Sequence, residues 1–315
     1  MLRALAPAKI NLGLFLGPTR AADGRHELVT VMQSISLADE LTLEPAPAGA
    51  TADEIHCPGV PGPPEANLAA AALRAFRAST GWQAPPQRLT ILKRIPVAAG
   101  LGGGSADAAA ALRLAAHASG LGDDHLLRDL AATLGADVPA QVTPGRWLAT
   151  GAGERLRELP PPRAELGVLV VPLAAQLSTA AVYAEADRLG LQRSLHALGA
   201  LGGELAAALE HGAPVPAASE LLHNDLQRAA VSLCPQIAAT MRAVREVGAD
   251  FVLLSGSGPT VLGLFPRSGP ALGDGPALAA AAAAALGGEG PPAVAATPVH
   301  AAYGQPTPAC ATIPR

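Results

Sequence analysis

The sequence predicts an α+β protein of two domains. Strand-like and helix-like segments are mixed along the chain without the strict alternation of a doubly wound sheet. A stiff proline run, "LPPPRAE" at Leu159 to Glu165, breaks the chain near its middle. At 315 residues, half of them apolar, the chain can bury one large core or two ordinary ones. The expected division is residues 1–159, residues 164–303 and a loose tail over residues 304–315.

The elements follow in order. "VTVMQSISL" (Val29 to Leu37) is β-branched and predicts a strand. "EANLAAAALRAFRAS" (Glu65 to Ser79) and "DDHLLRDLAATLG" (Asp123 to Gly135) predict helices. "RLTILKR" (Arg88 to Arg94) roughly alternates apolar and polar residues and predicts a strand closed by Pro96. Ser105 to Gly120, dense in Ala and Leu, predicts a helix ended by Gly120. Beyond the proline run, "LGVLVV" predicts a buried strand. "STAAVYAEADRL" starts a helix with Ser178 or Thr179 as its cap. "DFVLLSGSGPTVLGLF" (Asp250 to Phe265) predicts strand, tight turn, strand, and Val294 to Tyr303 a last strand. There is no internal repeat.

Composition excludes several classes. The net charge of −4, with no basic stripe, argues against a nucleic-acid binder. Cys57, Cys234 and Cys310 are far apart and odd in number. They form neither a metal-like pair nor a disulfide framework, as expected in a reducing cytoplasm. Lys9 and Asn11 interrupt what would have to be the apolar core of a signal peptide. The longest apolar run, Ala277 to Leu286, is too short and too Ala-rich to span a bilayer. The expected location is cytoplasmic. Lysine and asparagine are scarce: Lys9 and Lys93 are the two lysines, Asn11, Asn67 and Asn224 the three asparagines. Residues that persist against such a bias are candidates for a chemical role.

The segment "RIPVAAGLGGGSADAAAAL" sets glycine at four of the five positions from Gly100 to Gly104, directly before a strong helix former. A helix start carries unpaired N–H groups and partial positive charge. Glycines before it let the backbone curl around an anion with no Cβ in the way. A strand, a glycine loop and a helix in this order form a phosphate cradle, although glycines can also serve only to turn a loop. The common cradles do not fit. A Walker A loop needs Lys-Ser/Thr after its last Gly, and Gly104 is followed by Ser105 and Ala106. The dinucleotide fingerprint needs Gly where Ser105 stands. The protein-kinase loop lies between two strands.

The remaining pattern, P-x-x-x-G-L-G-G-G-S-A-D-A-A, resembles the second motif of the GHMP kinase family. "APAKINLGLFLG" (Ala6 to Gly17), "LGADVP" (Leu134 to Pro139), "NDLQ" (Asn224 to Gln227) and "SGSGPTVLGLF" (Ser255 to Phe265) are similar to further stretches of that family, in the expected order. The triple glycine is closest to a branch that phosphorylates a cytidine-diphosphate-bearing methylerythritol. The resemblance implies an N-terminal ATP-binding domain, a ferredoxin-like C-terminal domain and a substrate held between them. It implies ATP and Mg²⁺ as cofactors and phosphorylation of the 2-hydroxyl of 4-diphosphocytidyl-2-C-methyl-D-erythritol in isoprenoid precursor synthesis, by a monomer or weak homodimer. The alternatives are a kinase of the same fold acting on homoserine, mevalonate or a sugar, and a catalytically silent nucleotide-binding regulator.

Phosphoryl transfer to an alcohol needs a group to take the hydroxyl proton and positive charge near the transferred phosphoryl. Asp137 and Lys9 are the candidates. If they lie within a few ångströms, Lys9 favours the ionised Asp137. By resemblance they are the catalytic pair, with Asn11 lining the same pocket. Taken alone, Lys9 also reads as a solvated lysine and Asp137 as a cap or turn residue. The resemblance implies nucleotide contacts at Pro96, Val97, Ala98, Ala99, Gly100, Leu101, Gly102, Gly103, Gly104, Ser105 and Ala106, with Asn67 and Lys93 near the nucleotide. Lys93 also reads as a strand-edge lysine.

It implies substrate contacts at Asp23, Gly24, Arg25, His26, Thr179 and Tyr183. His26 would read the cytosine edge and Tyr183 would stack on the ring. Alone, these two read as a loop histidine and a core-packing helix residue. Two departures stand out. Arg25 occupies a place where the branch usually carries tyrosine, and a guanidinium plane can also stack on a base. Gly103 and Gly104 stand where many family members have serines, one of which helps hold Mg²⁺. The protein ligand of the metal is therefore left unassigned, and ATP oxygens and water can carry it.

Overall fold

The computed structural model describes residues 1–60, 62–175, 177–267, 274–286 and 292–309. Its elements are β1 (Leu2–Thr19), β2 (His26–Pro45), β3 (Glu54–His56), α1 (Leu68–Thr80), β4 (Gln87–Leu92), α2 (Gly103–Ser119), α3 (Asp124–Leu134), α4 (Val138–Val142), β5 (Arg146–Gly151), β6 (Arg155–Leu159), β7 (Gly167–Val171), α5 (Thr179–Arg188), α6 (Leu195–Leu209), α7 (Gln227–Leu233), α8 (Gln236–Glu246), β8 (Phe251–Leu254), β9 (Val261–Phe265), α9 (Gly275–Ala285), β10 (Val294–Ala296) and β11 (Thr307–Pro308).

The first sheet is built on one long hairpin, β1 and β2, which share a register from Leu2↔Leu43 to Thr19↔His26. The strand expected over Val29 to Leu37 is thus the middle of a longer one. Strand β2 is used twice. Residues 40–45 pair with β4 and residues 28–33 pair with β5, which carries β6 beyond it. Register shifts fall between Pro7 and Lys9 and between Asn11 and Gly13. Such irregularities re-aim side chains, and these two flank Lys9 and Asn11.

Helices α1, α2 and α3 cover one face. Their Leu73, Phe76, Leu112, Leu114 and Leu127 pack with Leu41, Leu43, Leu89 and Ile91 of the sheet. Asn67 caps α1 by accepting from Ala69 N at 2.9 Å, and Asp123 caps α3 by accepting from Leu126 N at 2.9 Å. Glycines in the left-handed region end α1 at Gly81 and α2 at Gly120.

The second sheet has the order β10-β7-β9-β8, with every pairing antiparallel. Helices separate β7 from β8, and α9 separates β9 from β10, so this half is a ferredoxin-like unit with extra helices in its first crossover. The proline run lies between β6 of the first sheet and β7 of the second, and the chain returns to the first sheet at β11. The two halves share apolar packing. One cluster joins Ile10, Phe15 and Val31 of the hairpin, Leu198 and Leu205 of α6, and Val168 and Leu264 of the second sheet.

Three local expectations are corrected. The strand expected over Val294 to Tyr303 stops at Ala296, because Pro298 cannot donate to a ladder; Pro298 makes a single bridge to Ile35, and a 3-10 turn spans Ala301–Gly304. The start of the expected tail is not loose. Thr307 and Pro308 pair with Arg3 and Leu2, and the buried Arg113 donates to Gly304 O at 2.9 Å. Residues 310–315, with Cys310, lie outside the described residues. Ser178 occupies the cap position of α5 but makes no capping hydrogen bond, and Thr179 Oγ1 instead lies 3.0 Å from Ser257 Oγ. Among the described residues, no helix is long and apolar enough to cross a membrane.

Candidate active site

Two cavities meet at the glycine loop. The smaller, about 380 Å³, is lined by the whole run from Pro96 to Ser105, with Asn67, Lys93 and Asp107. The larger, about 800 Å³, is lined by Lys9, Asn11, Arg25, His26, Asp137, Tyr183 and others. Gly100, Gly102 and Ser105 border both. Two glycines here are required by the backbone. Gly100 has φ +75°, and a Cβ on it would lie 2.5 Å from Ser255 O. Gly102, the cap of α2, has φ +68°. Lys9 N donates to Leu101 O at 2.9 Å, which ties the loop to β1. The cradle therefore presents the start of α2 to the smaller cavity, as an anion site requires. Ala106 lies behind the cradle, 1% exposed, and lines neither cavity.

At the junction sits a polar chain of fixed direction. Thr30 Oγ1 donates to Gly13 O at 2.6 Å and accepts from Asn11 Nδ2 at 2.7 Å. That sets the Asn11 amide so that its Oδ1 accepts from Lys9 Nζ at 3.0 Å. Lys9 Nζ lies 3.3 Å from Asp137 Oδ2. Lys9 is 6% exposed, which rules out a solvated surface lysine. Asp137 stands at the cap position of α4, yet its side chain makes no capping bond, so its carboxylate serves the cavity rather than the helix.

The base of the smaller cavity holds a second charge cluster. Lys93 Nζ donates to Asp107 Oδ2 at 2.7 Å and to Asp39. Burial opposes the charge on Lys93, but the two carboxylates outweigh it and raise its pKa. Burial, together with Asp39, pushes the Asp107 carboxyl upward against the pull of Lys93. Lys93 is thus tied into the protein rather than lying free along a strand edge. Asn67 borders the same cavity while capping α1.

The β1–β2 turn brings Gly24, Arg25 and His26 to the wall of the larger cavity. Asp23 is not brought to the cavity. It pairs with Arg20 and accepts from Arg25 N at 3.1 Å, so it shapes the turn. Arg25 Nη2 donates to Ala152 O at 2.7 Å, which bridges the turn to the β5–β6 hairpin. The rings of His26 and Tyr183 are 5.2 Å apart and tilted by 47°. Burial first, and then the Asp137 charge, push the Tyr183 phenol up to about 12, so it stays neutral.

Sequence reasoning missed Thr30, Asp39, Asp107, Asp187 and Ser257. One of them carried a signal. Asp187 follows Tyr183 by four residues on α5, which sets both on one helix face.

Residues 67–145 match the model of the GHMP kinases N terminal domain, and residues 205–290 that of the GHMP kinases C terminal domain. A 4-diphosphocytidyl-2-C-methyl-D-erythritol kinase from Anaeromyxobacter dehalogenans is 41% identical over 273 residues, covering 85% of this chain and 82% of that protein. The chain belongs to the GHMP kinase family. A second kinase of the same name, from Streptomyces coelicolor, is 43% identical over 269 residues, covering 81% of this chain and 84% of its own. The crystal structure of a 4-(cytidine 5'-diphospho)-2C-methyl-D-erythritol kinase superposes on this GHMP kinase with a TM-score of 0.73 at 34% identity, covering 94% and 98% of the two chains. A homoserine kinase from Cytophaga hutchinsonii superposes with a TM-score of 0.69 at 16% identity, a likeness of fold alone.

Proposed function

We propose that this GHMP kinase transfers the γ-phosphoryl group of ATP to the 2-hydroxyl of 4-diphosphocytidyl-2-C-methyl-D-erythritol, a step in isoprenoid precursor synthesis. The observation that carries this reading is the Lys9–Asp137 pair, in the cavity walled by His26 and Tyr183, which shares Gly100, Gly102 and Ser105 with the glycine-loop cavity. The names of relatives more than 40% identical support the choice of alcohol.

In this reading the N–H groups at the start of α2 hold the phosphates of ATP in the smaller cavity. Asp137 accepts the proton of the 2-hydroxyl. The freed oxygen forms the new bond to phosphorus as the bond to the leaving ADP breaks. An ammonium has three N–H groups. Two of those on Lys9 face Asn11 and Asp137, and the third is available to the developing charge. Ser105 is an oxygen donor that lines both cavities and fits Mg²⁺, which usually keeps waters and phosphate oxygens around it. When bound, Mg²⁺ supplies neutralisation of phosphate charge. His26, Tyr183 and Arg25 receive the cytosine, with Thr179 one turn before Tyr183 on α5 lining the same cavity. A cytoplasmic location agrees with the separated cysteines.

The test is ADP release with Mg²⁺-ATP and a panel of alcohols offered singly. Turnover is expected only with the cytidine diphosphate methylerythritol. Turnover on homoserine or mevalonate instead would keep the Lys9–Asp137 chemistry and discard the nucleobase site.

A further inference from the structure

The imidazole of His26 is held from one side only. Its Nε2 lies 2.7 Å from Asp187 Oδ1 and 3.2 Å from Thr19 Oγ1. Among the described residues, Nδ1 has no hydrogen-bond partner in the protein. Asp187 Oδ1 also accepts from Gln192 Nε2, which fixes the carboxylate in place. Both His26 and Asp187 line the larger cavity, and Tyr183, one turn before Asp187, rests against the His26 ring.

An ionised carboxylate can only accept. In the neutral ring, the proton of the Asp187–His26 bond must therefore sit on Nε2, and Nδ1 is left as a lone-pair acceptor. The threonine hydroxyl can give or take a hydrogen bond and does not decide the tautomer. The pyrimidine edge distinguishes itself by the same chemistry. Cytosine offers an amino donor at its 4-position, where a uracil-type base offers a carbonyl acceptor. A lone pair on Nδ1 suits the first and repels the second.

We infer that Asp187 is a specificity-determining positioning residue: by holding the His26 proton on Nε2 it keeps Nδ1 an acceptor, which selects an amino-bearing pyrimidine over a carbonyl-bearing one. This rests on the assignment of His26 to the nucleobase, and the test separates the two. No change of fold is needed to probe it, because the Asp187 side chain is 45% exposed.

The first readout needs no substrate. Nitrogen NMR of the protein labelled at histidine should show His26 protonated at Nε2 in the wild type and a mixture of tautomers in Asp187→Ala. A proton on Nδ1 in the wild type would overturn the inference. The second readout is kcat/KM for the cytidine diphosphate substrate and its uridine diphosphate counterpart. The wild type should favour the first by about tenfold or more. Asp187→Ala should lose most of that preference through KM rather than kcat. Asp187→Asn should keep it, because the amide oxygen facing Gln192 still accepts from Nε2. An unchanged preference in Asp187→Ala, or equal losses in both variants, would overturn the role of Asp187. If His26→Ala kept the wild-type preference, the nucleobase reading itself would fall, whatever tautomer NMR had found.

Discussion

The Lys9 ammonium lies 3.3 Å from the Asp137 carboxylate, and the two arrive from different kinds of element: Lys9 from a bulged stretch of β1, Asp137 from the residue before α4. Neither residue is spent on local structure. Lys9 has no solvent to reach, and Asp137 caps nothing. Asp137→Asn keeps the shape and removes the proton acceptor. Turnover should fall by about 10²–10⁴-fold while nucleotide affinity stays nearly constant. Lys9→Met should likewise cut kcat more than it weakens ATP binding. Single-turnover kinetics beside nucleotide titrations would decide; full activity in either variant would remove that residue from the mechanism.

The direction of the Asn11 amide depends on Thr30. Replacing Thr30 with Val keeps the volume but removes one acceptor and one donor, and leaves Asn11 Nδ2 and Gly13 O without their partner. The cost of an unsatisfied buried donor is about 1–3 kcal/mol. Asn11 can then turn its amide, presenting Nδ2 to Lys9, which has nothing to accept it. Thr30→Val should therefore lower both the denaturation midpoint and kcat. A variant that loses stability but keeps the wild-type kcat would show that the Asn11 orientation is irrelevant to turnover.

Much of this site could be read from the sequence, and the unread part has a physical pattern. The glycine run, the helix after it and the rare Lys9, Asn11 and Lys93 announce themselves by residue type. The strand β1 does not, because Pro7, Lys9 and Asn11 interrupt its apolar pattern and the irregularities in its register break the period of two. The partners that orient the site were invisible for a different reason. Thr30, Asp39 and Asp107 are ordinary residues within regular elements, and burial alone gives them a role. The start of the expected tail is anchored at Gly304, Thr307 and Pro308, which the sequence does not show because the partners, Arg113 and the edge of β1, are remote along the chain.

Gly100 joins the phosphate loop to the turn between β8 and β9. Gly100 O accepts from Ser255 Oγ at 3.1 Å, and an added Cβ would sit 2.5 Å from Ser255 O and 2.8 Å from Gly258 O, all of it rigid backbone. The left-handed φ of +75° adds about 1 kcal/mol for any side chain. Gly100→Ala should raise the KM for ATP and lower stability together, since loop and turn must move apart. Gly24→Ala is the control: its φ is +70°, but a Cβ there meets nothing within 4 Å. It should carry the conformational cost without the KM effect. Equal effects at the two sites would mean that the contact with the β8–β9 turn does not shape the nucleotide loop.

Asp225 binds the two halves together with a charge. Burial would raise its pKa, but hydrogen bonds from Arg193, His223 and the Leu16 amide outweigh burial and hold the carboxyl down to about 2. The Leu16 bond, at 2.9 Å, reaches β1, while Arg193 Nε reaches Asp225 Oδ2 at 2.7 Å from the start of α6. A carboxyl bound less tightly by protons in the folded than in the unfolded state stabilises the fold above its ordinary value of 3.8. That stabilisation, about 2 kcal/mol, is lost as pH falls towards the folded value. The wild type should thus lose stability between about pH 4 and pH 2 through this group. Asp225→Asn should be less stable at neutral pH, and its stability should fall less steeply across the same window. Denaturant melts of both proteins at several pH values would show it. Parallel curves would mean that Asp225 is bound equally well by protons in both states and that the two halves are held together by packing instead.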